Sequence, residues 1–219
     1  MENAKQSPDE TPSPELANAE SLPETVQAQW KDWLIKGGVA VVLLLAVILY
    51  RSHRQNNADQ ASRMLGEARN AQALQAIITQ YPSTPAARLA LLQTAKVQYD
   101  SGDYMAAASS YRDFISKNPK HPLIDMAEMG GIECLEATGK DPEALAAYSA
   151  FATTHTNSFL VPEALFGKAR CLQQLQRIDE ARAVYEDFIA ANPKSPWKKD
   201  AEESLRDLER GARKKPAGN

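Results

Sequence analysis

Apolar and polar positions follow two different patterns along this chain. From Trp33 to Tyr50 the residues are apolar or small on every side, with Lys36 the single charge. Beyond Arg54 apolar and small residues recur at i, i+3, i+4 and i+7, the spacing of amphipathic helices. Leu89, Leu92, Val97 and Tyr99 lie along one such helix, and Met105, Ala108, Tyr111, Phe114 and Ile115 along the next. Asp100-Ser-Gly-Asp103 is the turn between them, with Gly102 suited to a helix C-terminus and Asp103 to the following N-cap. Further pairs are predicted at 123–137 with 142–153, and at 161–175 with 179–191. A last helix is predicted near 196–209, and one or two helices within 57–80. Asp141 and Asp179 are the expected N-caps of the second members.

The helices carry a period. Tyr111, Tyr148 and Tyr185 are 37 residues apart, as are Phe114, Phe151 and Phe188. Ala107, Ala144 and Ala181 keep the same step, and so do Ala90, Ala127, Ala164 and Ala201. A period of this length means stacked helical pairs that bury one continuous core. The aromatic ladder is therefore core, and Gly130-Gly131, inside a helix pattern, permits close packing. The charge-rich final helix has the solvated outer face of a terminal cap.

The apolar run reads as a single membrane span. Eighteen helical residues cover about 27 Å, close to a hydrocarbon thickness of roughly 30 Å. Trp33, Leu34, Val41, Leu44, Val47 and Tyr50 are the expected anchor residues, with Trp30, Trp33 and Tyr50 at the interfaces. No Ala-x-Ala cleavage site follows Tyr50, and no cysteine lies in or just after the run to carry a lipid. Lys31 and Lys36 precede the span, and Arg51, Arg54 and Arg63 follow it. That balance favours the C-terminal domain inside by only a charge or two.

Composition divides the chain further. Residues 1–29 hold four prolines, six acidic residues and almost nothing apolar to bury, so a disordered tail is expected. The expected order is this tail, the span and its flanks over 30–54, the repeats over 55–210, and a basic tail over 211–219. A net charge of −3 gives no argument for nucleic acid. Cys134 and Cys171 are also one period apart, so they are expected as free buried thiols on successive units, too far apart to pair. His53, His121 and His155 are scattered with no metal or triad spacing. No phosphate loop is present, and no catalytic residue, cofactor, metal or small-molecule substrate is expected.

The second helices resemble the tetratricopeptide repeat. They read Ala107-x3-Tyr111 with Pro119, Ala144-x3-Tyr148 with Thr156 in place of proline, and Ala181-x3-Tyr185 with Pro193. The repeats are similar to those of bacterial envelope proteins of the BamD and CpoB type. Trp33 to Arg54, running into Ala58 to Arg69, and the stretch Tyr81 to Ala95 look like the YfgM family of ancillary Sec-translocon subunits. The resemblance implies an all-α protein with one N-terminal transmembrane helix and a helical-repeat solenoid in the periplasm of a bacterial inner membrane. It also implies chaperone-like contact with translocon subunits, client polypeptides or periplasmic chaperones. A scaffold in envelope assembly or cell division, and a cytosol-facing regulatory subunit, remain open alternatives. Binding is expected on the concave surface lined by first helices, with Arg88, Gln93, Lys96, Glu128, Glu133, Lys168, Arg170 and Gln173 as candidates.

Overall fold

A computed structural model describes the backbone of residues 24–214 and the side chains of residues 33–211. The described elements are all helical: α1 (Glu24–Glu67), α2 (Ala71–Gln80), α3 (Pro85–Asp100), α4 (Tyr104–Lys117), α5 (Ile124–Ala137), α6 (Asp141–Thr154), α7 (Val161–Gln174), α8 (Ile178–Ala191) and α9 (Lys198–Lys214). The chain divides into two compact units, Met1–Gln55 and Asn56–Asn219.

In the first unit, α1 begins at Glu24, ahead of the Trp30 expected from the apolar run. The rest of the expected acidic tail lies outside the described residues, as does the end of the basic one. The apolar run forms one uninterrupted helical stretch, long and apolar enough to cross a bilayer, with mean hydropathy 2.3. Trp33, Leu34, Val41, Leu44, Val47 and Tyr50 are each more than half exposed.

The second unit stacks α2 to α9 in sequence, each helix packed on the next. The pairs are α3 with α4, α5 with α6, and α7 with α8, and α9 closes the series. Small residues let neighbours approach: Ala90, Ala95, Ala107, Ala127, Ala144, Ala164, Ala169, Ala181 and Ala201 are all fully buried. Aromatic rings fill the space between pairs. Tyr111 and Phe114 pack with Ala127, Tyr148 and Phe151 with Ala164, and Tyr185 and Phe188 with Ala201. Val97 and Met105, expected on apolar faces, are instead exposed, because the alanines occupy the contact.

The turns repeat the 37-residue register with one exception. Gly102 and Gly139 end α3 and α5 with φ of +84° and +70°, and the equivalent position after α7 is Gln176 at +61°. At the next step of the register Asp103 caps α4, accepting from the Ala106 N–H at 3.2 Å. Its equivalents are Lys140 and Arg177, so Asp141 and Asp179 do not cap; they lie in the first turns of α6 and α8. There they place negative charge at the positive end of the helix dipole.

Candidate functional site

Polar side chains of α5, α6 and α7 meet in one network. Arg170 of α7 donates through Nε to Glu136 Oε1 at 2.7 Å and through a second guanidinium nitrogen to Oε2 at 2.9 Å. The Tyr148 hydroxyl of α6 donates to the same carboxylate at 2.6 Å. A third guanidinium nitrogen stands 3.7 Å from Glu163. Three helices are thus tied through one carboxylate, and the gap between α5 and α7 is bridged.

This network sets the local electrostatics. Burial pushes the Glu136 carboxyl up, but hydrogen bonds from Arg170 and Tyr148 and the guanidinium charge leave it below its ordinary value. The Arg170 guanidinium is held more firmly charged, chiefly by its bond to Glu136. Burial, then the bond to Glu136, keeps the Tyr148 hydroxyl protonated. Glu133 behaves oppositely: burial and then the Glu163 charge raise its carboxyl above the usual range. Three carboxylates lie near one guanidinium here, and its fork goes to Glu136.

Between α7 and α9 the described residues form no such charged fork; Tyr185 and Ser204 share a side-chain hydrogen bond instead, and a gap of about 550 Å³ remains. Phe166, Ile178, Tyr185 and Leu208 line it, with Arg170, Gln173, Gln174, Gln176, Ser204, Asp207 and Gly211. Two more grooves lie on the side of α4, α6 and α8. One, of about 470 Å³, lies over α5 between α4 and α6 and is mostly apolar, with Ala108, Ile115, Ile132, Leu135, Ala147 and Phe151. Its equivalent one repeat on, about 420 Å³, contains Leu145, Lys168, Leu172, Arg177, Glu180 and Asp187. Lys168 replaces Gly131 and Asp187 replaces Ala150, so the second groove is charged where the first is apolar.

The eight surface candidates separate accordingly. Lys96, Glu133 and Arg170 occupy one register position on α3, α5 and α7, and Asp207 continues it on α9. Gln173 lines the α7–α9 gap beside Arg170. Lys168 does not join them: two residues from Arg170 it points about 200° away round the helix, into the groove between α6 and α8. Glu128 lines the apolar groove between α4 and α6 instead. Arg88 is partly buried and Gln93 exposed on α3.

Glu136, Tyr148, Glu163, Ser204 and Asp207 were not among the candidates. Asp207 was within reach, since its register position reads Lys, Glu, Arg, Asp. His155, expected in no metal or triad arrangement, has its two ring nitrogens 3.1 Å from Asp125 and 3.0 Å from Glu128. The ring also stacks on Phe151 at 4.4 Å. The carboxylates stand on opposite sides of the imidazole and do not converge on a point that could hold a metal. Cys134 and Cys171 are buried and unpaired, and burial pushes each thiol up to about 11.

Stacked helix pairs with grooves between successive members define an α-solenoid, a fold that presents surfaces to other proteins. The family model for the tetratricopeptide repeat-like domain matches residues 27–209. The chain belongs to that family, and its repeats are a scaffold for binding other proteins.

Solved structures agree on the fold. A Podosopora anserina protein assigned as a kinesin light chain with nearly identical TPR-like repeats superposes with TM-score 0.54 at 15% identity, over 74% of this chain and 87% of that one. A point-substituted form of the same protein gives 0.55 at 14%, with the same shares of each chain. A tetratricopeptide repeat protein from Parabacteroides merdae ATCC 43184 gives 0.51 at 18%, over 72% of this chain and 60% of that one. No curated protein matches the chain.

Proposed function

We propose that this is a membrane-anchored repeat protein that holds segments of other polypeptides beside a bacterial inner-membrane complex, in the manner of the YfgM family. One observation carries the reading: an exposed apolar helical stretch, with Lys36 its single charge, precedes a repeat array in the same chain. Exposed leucine, isoleucine and valine along 33–50 have no protein cover among the described residues, and apolar surface of that extent calls for lipid or a partner. Anchoring confines the repeats to the membrane plane and raises their effective concentration near a membrane partner. The polar network and grooves then supply contacts without chemistry. The translocon and its emerging clients are the proposed partners, and the periplasm the proposed compartment.

Two experiments test this. Alkaline extraction of membranes should leave the full chain in the pellet, and release into the supernatant sinks the anchor. A reporter active only outside the cytoplasm, fused after Asn219, should be active. Silence with good expression favours a cytosol-facing regulatory subunit, which the unpaired thiols and the arginines after Tyr50 support. Site-specific crosslinking in cells should then capture translocon subunits; capture of division or outer-membrane machinery supports the scaffold reading instead.

A further inference from the structure

The residue that follows the second helix of each pair is Asn118, His155 or Asn192, one period apart. Asn118 and Asn192 cap their own helices: each side-chain amide donates to the carbonyl four residues back, of Phe114 and Phe188, at 3.0 Å. His155 turns to α5 instead, with Nδ1 3.1 Å from Asp125 and Nε2 3.0 Å from Glu128. The equivalents of Asp125 in the neighbouring pairs are Arg88 and Pro162, and those of Glu128 are Leu91 and Leu165. Three changes thus coincide in one repeat. Together they replace a capping amide with a titratable ring set between two carboxylates.

The hydrogen-bond count decides what the ring must be to hold both partners. Ionised carboxylates only accept, and a neutral imidazole has one N–H to give. Serving both takes an imidazolium. The ring sits at the C-terminal end of α6, where the helix dipole favours positive charge. It also lies over the Phe151 ring at 4.4 Å with 11° between the planes, a face that attracts a cation. Tyr111 and Arg112 of α4 line the apolar groove beside it. Lys120 and His121 lie in the turn into α5, and His121 packs edge-on against Phe114 at 5.2 Å. The only charges of α6, Asp141 and Glu143, are at its other end, and the turn 156–160 has none. Glu163 in the first turn of α7 is 3.7 Å from Arg170.

We infer that His155, Asp125 and Glu128 form a proton-operated clip that holds α6 against α5 and closes one end of the apolar groove between α4 and α6. Glu128, Phe151 and His155 all line that groove of about 470 Å³. With protons on both ring nitrogens the clip is made. When one proton leaves, one carboxylate loses its donor and faces a lone pair. The clip therefore holds in acid and releases as pH rises through the titration of the imidazole. Histidine is the side chain that ordinarily makes this change between about pH 5 and 8. The asparagines of the other two repeats cannot respond.

The test uses the full chain in detergent micelles with nitrogen-labelled histidine. The His155 ring, assigned by its loss from the magnetic resonance spectrum of His155→Asn, should carry two protons at about pH 5.5 and one at about pH 8. Hydrogen exchange read by mass spectrometry, corrected for its intrinsic pH dependence, should show α5 and α6 about ten-fold less protected at the higher pH. Peptides of α7 and α8 serve as the internal control. His155→Asn copies the neighbouring repeats and should remove the difference. Asp125→Asn with Glu128→Gln should remove it too, and serves if the first variant is destabilised. A ring that keeps one protonation state across the range overturns the clip. So does a ring that titrates while α5 and α6 keep their protection, or a pH-dependent protection that survives in the variants.

Discussion

The ring of Tyr148 occupies the place where a side chain on Gly167 would begin: a Cβ there would lie 2.3 Å from Cζ. Tyr111 stands in the same relation to Gly130, also at 2.3 Å. In the third repeat Ser204 takes the glycine position beside Tyr185. The tyrosine ladder thus packs directly against the backbone of the next repeat. Gly167→Ala must move either an aromatic ring or a helix, and should cost about 1–3 kcal/mol. Gly131→Ala, next to Gly130, meets only the Tyr111 Cβ at 4.0 Å and should gain about 0.5–1 kcal/mol. Denaturant unfolding of the two variants checks the opposite signs.

Gln176 adopts φ +61°, where the other two repeats use glycine. A side chain in left-handed backbone costs roughly 1–2 kcal/mol. Gln176→Gly should therefore stabilise the protein by about 1 kcal/mol, less glycine's extra unfolded-state entropy. A fall in melting temperature would show that the glutamine's own contacts outweigh the strain.

Glu133 and Glu136 should respond oppositely to neutralisation. The folded state holds the Glu136 carboxyl below its ordinary value, so its contribution is present above about pH 4.5 and is lost as pH falls below that. Glu136→Gln should lower stability at pH 7 by about 1–2 kcal/mol, with the deficit shrinking in acid. The Glu133 carboxyl is raised, so its ionised form opposes folding, and that penalty is relieved as pH falls through the raised value. Glu133→Gln should raise the melting temperature at pH 7 and make little difference in acid. Melting curves of both variants across pH 3–8 decide the matter.

Burial holds the thiols of Cys134 and Cys171 up at about 11, so few thiolates exist at neutral pH. Both should react with a disulfide reagent only at the rate of global or local opening, and quickly in denaturant. Rapid labelling of native protein, or an intramolecular disulfide on mild oxidation, contradicts the packing described.

Much of the fold was written in the 37-residue step, because each small or aromatic position answers to an equivalent contact in the next unit. Gly167 lies one period after Gly130 and is legible in the same way, although glycine carries no apolar signal. The Glu136–Arg170 pair was not legible. Its members lie on different helices, and nothing local to either residue shows which way the two faces turn. The same gap in knowledge placed Lys168 beside Arg170, although two residues along a helix face opposite ways. Asp141 and Asp179 suit N-caps by residue type, but the register of Asp103 puts Lys140 and Arg177 at the cap positions.

Lys96, Glu133, Arg170 and Asp207 alternate in sign along one register position. Adjacent units are therefore not interchangeable, although their cores nearly are. Deleting an internal 37-residue unit, or duplicating any one, would set like charges at successive register positions, while adding or removing two adjacent units would restore the alternation. The array can lengthen without electrostatic conflict only in steps of two, so a lineage that grows it should do so by doubling pairs of repeats.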